Sequence, residues 1–438
     1  MKIRSLIVAV FILLVLVAAL YWSGHRKPAE ETAKASAETP PTILKLDEAA
    51  ITKLELKRKD AEPIVLTKNT SGTWQIEKPR VFNADQSTVS GVISTLSSLN
   101  SERLVEDKAS DLKQYGLDHS AFGVDITEKD NKTQKLLIGD ETPAGSAFYA
   151  MLASAPRVFT MASYNKTSID KSLNDLRDKR LLTASLDKIS RIELIRKNQT
   201  IEFGRNKDDW QILKPKPLRA DSSQVGELAR KLTDARMDLS GSDKDLKEAA
   251  SAFARATAVV TAKVTDQSGT QELQVRKAKD KYYAKSSAIE GAYKVDSDLG
   301  QALDKGLDDF RNKKLFDFGF NDPIKIEMHN GSKAYFLSRS GNDWWSNGKK
   351  MDAGSVQDLV SKLRDLAASK FVDSGFANPS IEVTVASDDG KRVEKASIAK
   401  PGLAKRENEP TLYQLDSSAV DALQKAADDI KPAAGPAK

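Results

Sequence analysis

The chain has 438 residues, with 68 Lys and Arg against 62 Asp and Glu, a net charge of +6 and no cysteine. The lack of cysteine excludes disulfides, thiolate metal sites and thiol nucleophiles, and the length suffices for two or three domains with cores of their own. Charges of both signs are mixed along the whole sequence without long basic runs, so no nucleic-acid partner is expected.

An apolar run at the N-terminus is the first segment with a clear signature. Residues 6–22 carry no charge and are nearly all Leu, Ile, Val, Ala or Phe. Such a helix spans about 25 Å, close to the thickness of a hydrocarbon core. We therefore predict an uncleaved signal-anchor transmembrane helix over residues 1–24, in the cell membrane, with the C-terminal body extracytoplasmic (periplasmic). The alternative is a cleaved signal peptide, although the bulky residues 20–22 make a poor cleavage site.

Two segments resemble linkers rather than folded structure. Residues 25–43 are rich in Ala, Glu, Thr, Lys and Pro and lack apolar periodicity, which predicts a flexible tether. Residues 431–438 have a similar Pro/Ala composition and are predicted to form a disordered tail. The folded body should therefore lie between these two segments.

The same helical pattern occurs three times in this body, each time after an aspartate. Apolar residues follow Asp85, Asp221 and Asp352 at +4, +7, +8, +11 and +14, which is one stripe of a 3.6-residue helix. Each aspartate has the chemistry of a helix N-cap. The stripes consist of Val89, Val92, Ile93, Leu96 and Leu99; Val225, Leu228, Ala229, Leu232 and Ala235; and Val356, Leu359, Val360, Leu363 and Leu366.

Short alternating segments on both sides of each helix predict strands. Three of them precede each helix as a meander, with turn signals at Ser71-Gly72 and Asn330-Gly331, and further strands follow it. Similar linkers start at Leu176 and Phe310. We predict an α+β fold of three repeated modules, 44–183, 184–316 and 317–430, each an antiparallel sheet covered by one main helix.

A set of motifs in this sequence resembles those of a known family. They are Trp74 with Lys78-Pro79, Trp210 with Lys214-Pro215, the Ala-Asp helix starts, Tyr115-Gly-Leu, and the run Leu137-Ile-Gly139, Pro143 and Tyr149. This set is similar to the bacterial domain-of-unknown-function family 4340. The resemblance implies one N-terminal membrane helix and an accessory role beside an ABC-type transporter of the gliding-motility auxiliary kind. It supplies no catalytic residues.

The histidines and carboxylates show no catalytic or metal-binding pattern in the sequence. His25, His119 and His329 do not pair at metal-ligand spacing, and no Asp-x-Asp-x-Asp-Gly calcium loop occurs. Residues 139–145, Gly-Asp-Glu-Thr-Pro-Ala-Gly, lack the Gly-Lys-Ser/Thr ending of a phosphate loop and are expected to form a β-hairpin turn. We therefore predict no catalytic, cofactor-binding or metal-binding residues and no cofactor.

The tryptophans allow two interpretations. Trp74, Trp210, Trp344 and Trp345 could line a glycan-binding face, but their repeated position before the helix favours packing of strand against helix. The prediction is therefore core packing for these tryptophans, and Trp345 is the one for which an exposed position stays open.

The functional expectation is a non-catalytic, membrane-anchored binding or scaffolding protein rather than an enzyme. The resemblance implies that ABC transporter subunits are its partners, besides the membrane. The alternative is an envelope glycan- or peptide-binding protein that works alone, and a hydrolase of unknown mechanism is a third hypothesis.

Overall fold

The structure, a computed structural model, describes residues 41–207, 209–240, 243–319 and 321–434. The chain divides into two compact units, one ending at Asp178 and the other beginning at Lys179. In the described residues no helix is both long enough and apolar enough to cross a membrane. The predicted transmembrane helix, residues 1–24, lies outside the described residues.

The first unit contains a nine-stranded antiparallel sheet, called the first sheet, and a two-stranded one. Its strands are β1 (Thr42–Lys45), β2 (Ile51–Arg58), β3 (Ile64–Lys68), β4 (Trp74–Lys78), β5 (Phe82–Asn83), β6 (Ser98–Asn100), β7 (Arg103–Glu106), β8 (Phe122–Glu128), β9 (Thr133–Glu141), β10 (Ala147–Leu152) and β11 (Val158–Ala162). Its helices are α1 (Gln86–Ser97), α2 (Ser163–Ile169) and α3 (Leu173–Leu176). The strand order is β5-β4-β3-β2-β8-β9-β10-β11-β7, and β1 pairs with β6.

The second unit begins with an eight-stranded antiparallel sheet, the second sheet. Its strands are β12 (Arg191–Arg196), β13 (Gln199–Asn206), β14 (Asp209–Lys214), β15 (Leu218–Arg219), β16 (Thr257–Asp266), β17 (Gly269–Ala278), β18 (Lys281–Ser286) and β19 (Ala292–Val295). The accompanying helices are α4 (Ser222–Thr233), α5 (Asp243–Arg255) and α6 (Ser297–Asp304). The strand order is β15-β14-β13-β12-β16-β17-β18-β19.

The second unit continues with a nine-stranded antiparallel sheet, the third sheet. Its strands are β20 (Lys325–Asn330), β21 (Lys333–Ser340), β22 (Asp343–Ser346), β23 (Lys349–Lys350), β24 (Ala368–Val372), β25 (Ile381–Ser387), β26 (Arg392–Ala399), β27 (Leu403–Arg406) and β28 (Leu412–Leu415). Helices α7 (Ala353–Asp365) and α8 (Ser417–Asp428) accompany it. The order β23-β22-β21-β20-β25-β26-β27-β28-β24 matches that of the first sheet position by position.

The aspartate-led helices form as the sequence predicts. Asp85, Asp221 and Asp352 are the N-caps of α1, α4 and α7, and each carboxylate accepts a backbone N–H from the first turn. All residues of the three predicted stripes are buried, with exposures of 5% or less. Each stripe packs against one sheet in a separate hydrophobic cluster. Antiparallel sheets with packed helices confirm the α+β fold, while the division into three repeated modules stays a prediction.

The backbone N–H of each capping aspartate donates to the carbonyl of a residue about 80 to 90 positions further along the chain. The N–H of Asp85 donates to the carbonyl of Leu176 at 2.8 Å, and the N–H of Asp221 donates to Phe310 at 2.8 Å. The N–H of Asp352 donates to Lys431 at 2.9 Å. The residues that open the two predicted linkers, Leu176 and Phe310, therefore bind the starts of α1 and α4.

The residues of the predicted tether and tail that border the body are part of the fold. Residues 42 and 43 belong to β1, and Ile43 is buried at 5% exposure because it joins the core of the first sheet. At the other end, Ala433 donates its N–H to the carbonyl of Lys350 at 3.0 Å, and Met351 bridges to Pro432. Residues 431–433 are therefore attached to the third sheet, and residues 435–438 lie outside the described residues.

Candidate functional site

The histidines occupy different places. His119 is exposed in a turn of the first unit, whereas His329 lies on β20 of the third sheet; His25 lies outside the described residues. His329 Nε2 lies 3.1 Å from Glu327 Oε1. In the part of the chain that the structure describes, no three His, Asp or Glu side chains are grouped to hold a metal ion.

Two glycine-containing motifs of the first unit, residues 139–145 and Tyr115-Gly-Leu, pack against each other. Residues 142–146 connect β9 to β10, with the Thr142 N–H donating to the Ala147 carbonyl at 2.8 Å, so the predicted hairpin is confirmed. The Tyr115-Gly-Leu element packs beside it: the rings of Tyr115 and Tyr149 lie 4.9 Å apart, and a Cβ on Gly139 would come within 2.1 Å of the Tyr115 carbonyl oxygen. These motif residues therefore build the fold of the first unit.

Three tryptophans are core residues, as predicted. Trp74, Trp210 and Trp344 are 4–6% exposed and belong to the clusters under the helices. The residue after the capping aspartate also holds the strand, because Gln86 Oε1 accepts the Trp74 N–H at 2.8 Å and Ser222 Oγ accepts the Trp210 N–H at 3.0 Å. These tryptophans are therefore unavailable to a ligand.

Trp345 points the other way and is 36% exposed. Side chains alternate between the two faces of a strand, so burial of Trp344 places Trp345 on the outer face of the third sheet. The same alternation places Phe336, 42% exposed, beside the buried Leu337 on β21. It also places His329, with 45% of its side chain exposed, beside the buried Met328 on β20.

The register of the strands aligns these three rings along a diagonal. Trp345 lies opposite Ser338, two residues from Phe336, and His329 lies opposite Ala334, two residues from Phe336 on its other side. The rings of His329 and Phe336 meet edge to face with centroids 5.6 Å apart. We call Trp345, Phe336 and His329 the aromatic strip. It crosses three neighbouring strands and measures about 15 Å from strand spacing and rise.

Polar side chains surround the aromatic strip. Lys350 lies opposite Trp345, Glu327 lies opposite Phe336, and Glu382 lies opposite His329. Lys325 stands on the same face, with its Nζ 3.8 Å from Glu327 Oε2. Asp343 lies on this face as well, with its Oδ2 2.9 Å from Lys350 Nζ. Two lysines and three carboxylates thus flank the rings, so the surface combines exposed aromatic area with hydrogen-bonding groups and has no excess of positive charge.

A charged cluster joins the second sheet to the third. Arg219 of β15 reaches Glu409, in the turn between β27 and β28, with Nε 3.2 Å from Oε1, and donates from Nη2 to the Tyr413 hydroxyl at 3.2 Å. Glu409 also accepts from Arg406 Nε at 2.8 Å and from the Tyr413 hydroxyl at 2.7 Å. Arg406 in turn lies 3.0 Å from Glu394, a carboxylate only 4% exposed.

Electrostatics keep this cluster charged. Burial opposes the charge of Arg406, but Glu409 and Glu394 outweigh it and raise the pKa of the guanidinium above its ordinary value. Burial raises the pKa of the Tyr413 phenol, which therefore stays protonated and donates to Glu409. A cavity of about 260 Å³ lies beside the cluster, where the Arg311 guanidinium stacks 3.4 Å above the Phe371 ring. The cluster therefore fixes the second and third sheets to each other.

A larger cavity, of about 570 Å³, lies between α5 and the strands β18 and β19 of the second sheet. Its lining includes Asp238, Arg255, Tyr283 and Lys294. Lys294 Nζ donates to Asp238 at 2.7 Å, and this bond, with those from Ser240, holds the pKa of the Asp238 carboxyl far below its usual range. This pair connects β19 to the segment that follows α4. Helix α5 was not predicted, although the spacing of its buried Ala249 and Phe253 is helical.

Sequence reasoning singled out Trp345 but missed the other two members of the aromatic strip. The alternation in residues 325–329, Lys-Ile-Glu-Met-His, already places Glu327 and His329 on one face. Phe336 joins them only through the pairing of β20 with β21, which the pattern of a single segment does not provide.

Comparison with known proteins gives one family. The family model described as domain of unknown function (DUF4340) matches residues 74–250 and again residues 210–390. The two matches begin at Trp74 and Trp210, which are as far apart as Asp85 and Asp221. None of the curated proteins matches the chain.

Proposed function

This chain belongs to the DUF4340 family of domains of unknown function, and we propose that it is a non-catalytic binding and scaffolding protein of the cell envelope. In this proposal residues 1–24 anchor it in the cell membrane, and three modules form a periplasmic body. Its role is accessory to an ABC-type transport system, a part of the proposal that rests on the family resemblance.

One observation carries the binding role: the aromatic strip is exposed on the third sheet, which the charged cluster holds against the second sheet. The rings of Trp345 and Phe336 are 36% and 42% exposed, whereas the other tryptophans of the described residues lie in the core. Exposed aromatic side chains on a rigid support bind partners at low entropic cost, because few rotatable bonds become ordered. The outer face of the third sheet is thus the proposed binding face.

Photo-crosslinking in intact cells tests this proposal. A photoreactive amino acid replaces Ser338, which lies opposite Trp345, and in a matched control it replaces Ser90, an exposed serine of α1. We expect adducts from position 338 that position 90 does not give, and transporter subunits among the proteins recovered with the full-length chain. Equal labelling at both positions would overturn the binding face, and recovery without transporter subunits would overturn the accessory role.

A second candidate is an envelope-binding protein that works without a transporter. It is favoured by the fact that the aromatic strip lies within one sheet and is complete without a second protein. Chemical crosslinking of the full-length chain in intact cells, followed by its recovery, separates the two candidates. Transporter subunits in the recovered complex support the accessory role, and recovery of the chain without them supports independent binding.

A further inference from the structure

We propose that the aromatic strip binds a strand of an uncharged polysaccharide, an inference that rests on the binding role proposed above. The first argument is the arrangement of the rings. Trp345, Phe336 and His329 lie on three adjacent strands, each displaced by two residues from the next. This line of about 15 Å offers successive aromatic contacts to an extended chain rather than one pocket to a compact ligand.

The second argument is the chemistry of an aromatic surface. The face of an aromatic ring is apolar and carries a negative quadrupole, so it packs favourably against the polarised C–H groups of a sugar ring. Trp345 provides the largest ring, and its exposed fraction of 36% leaves area for such a contact. Phe336, 42% exposed, provides the next one along the diagonal.

The third argument is the polar surroundings of the rings. Ser338 and Thr384 lie on the same face, Ser338 opposite Trp345 and Thr384 opposite Glu327. Hydroxyl, carboxylate and ammonium groups can accept or donate to sugar hydroxyls, which act in both roles. The core of a protein interface is instead depleted of charged side chains, whereas lysines and carboxylates stand directly beside these rings.

The fourth argument is charge. On the outer face Lys325 and Lys350 are accompanied by Glu327, Glu382 and Asp343, and Asp343 Oδ2 lies 2.9 Å from Lys350 Nζ, so no positive charge is left in excess. Surfaces that stack on single-stranded nucleic acid combine aromatic rings with a strongly positive groove, because each phosphate must be neutralised. A face without excess positive charge disfavours a polyanion and fits an uncharged polymer.

The test is binding of the full-length protein, in detergent micelles, to an array of uncharged and acidic oligosaccharides. We expect retention on uncharged oligosaccharides. Trp345→Ala and Phe336→Ala should each weaken it about tenfold, the range typical of a central aromatic contact. Tyr164→Ala is the matched control, since Tyr164 is 71% exposed in the first unit and should bind as the wild type does.

Three outcomes overturn the inference: retention on no oligosaccharide, retention on acidic ones alone, and equal binding by wild type and Trp345→Ala. The crosslinking at position 338 distinguishes failure of this inference from failure of the proposed function. If position 338 crosslinks only to proteins and the chain is retained on no oligosaccharide, polysaccharide binding is refuted but the outer face of the third sheet is still a binding face. Absence of adducts at position 338 refutes the binding face itself.

Discussion

The ring of His329 meets that of Phe336 edge to face at 5.6 Å, across two paired strands on the outer face of the third sheet. His329 is also held 3.1 Å from Glu327, so the imidazole is fixed on two sides. Together with Trp345 these residues form an exposed line that core packing does not explain. The rest of the third sheet supports this line.

The capping aspartates should stabilise their helices measurably. Asp221 accepts backbone N–H groups from Ser223 and Gln224 at 3.0 and 3.1 Å, so Asp221→Ala should lower the free energy of unfolding by about 1 kcal/mol. Asp416 begins α8, but its side chain makes no capping hydrogen bond to the described residues. Asp416→Ala should therefore cost clearly less in urea denaturation, and equal losses would contradict the capping role.

The charged cluster should depend on its buried carboxylate. Glu394 is 4% exposed beside Arg406, so Glu394→Gln leaves a buried guanidinium with one partner fewer and should cost about 3 kcal/mol of stability. Glu407, paired with Lys395 at 3.9 Å on the surface, is the control, and Glu407→Gln should change stability by less than about 0.5 kcal/mol. Urea denaturation measures both, and similar values for the two variants would refute a special role for the cluster.

Acid should weaken the second sheet through Glu202. Burial opposes ionisation of this carboxyl, but Lys214, at 2.7 Å, and Arg191 outweigh it and hold its pKa below the ordinary value. A carboxyl with a lowered pKa contributes stability above its ordinary pKa, and that contribution is lost as the pH falls through the folded-state value. Stability measured from about pH 6 to pH 2 should therefore fall less steeply in Glu202→Gln than in the wild type. Parallel curves would show that Glu202 is not involved.

Two glycine-to-alanine changes in the first unit should have opposite effects. A Cβ at Gly139 would lie 2.1 Å from the Tyr115 carbonyl oxygen, so Gly139→Ala should cost about 1–3 kcal/mol through backbone displacement. Gly91 lies inside α1, and a Cβ added there would meet no neighbouring side chain or strand within 4 Å, so Gly91→Ala should add about 0.5–1 kcal/mol. Thermal denaturation measures the difference, and a tolerated Gly139→Ala would disprove the close packing of the motif.

Local features of the fold could be predicted from the sequence, whereas features that depend on long-range pairing could not. The stripe after Asp221 and its cap are set by neighbours within one helix, and they form as expected. The strand at Ile43 was missed because its apolar segment is short and gains its partner only through β6. Likewise, Arg219 and Glu409 are 190 positions apart, and only the folded second unit brings them together.

The most direct test of the binding face is oxidative footprinting of the full-length protein in intact cells and after purification. Hydroxyl radicals label exposed aromatic side chains, so Trp345 and Phe336, 36% and 42% exposed, should react readily in the purified protein. If a ligand covers the outer face of the third sheet, both residues should be labelled several-fold less in cells, while Tyr164 reacts equally in the two samples. Equal labelling of Trp345 in cells and in the purified protein would contradict the account.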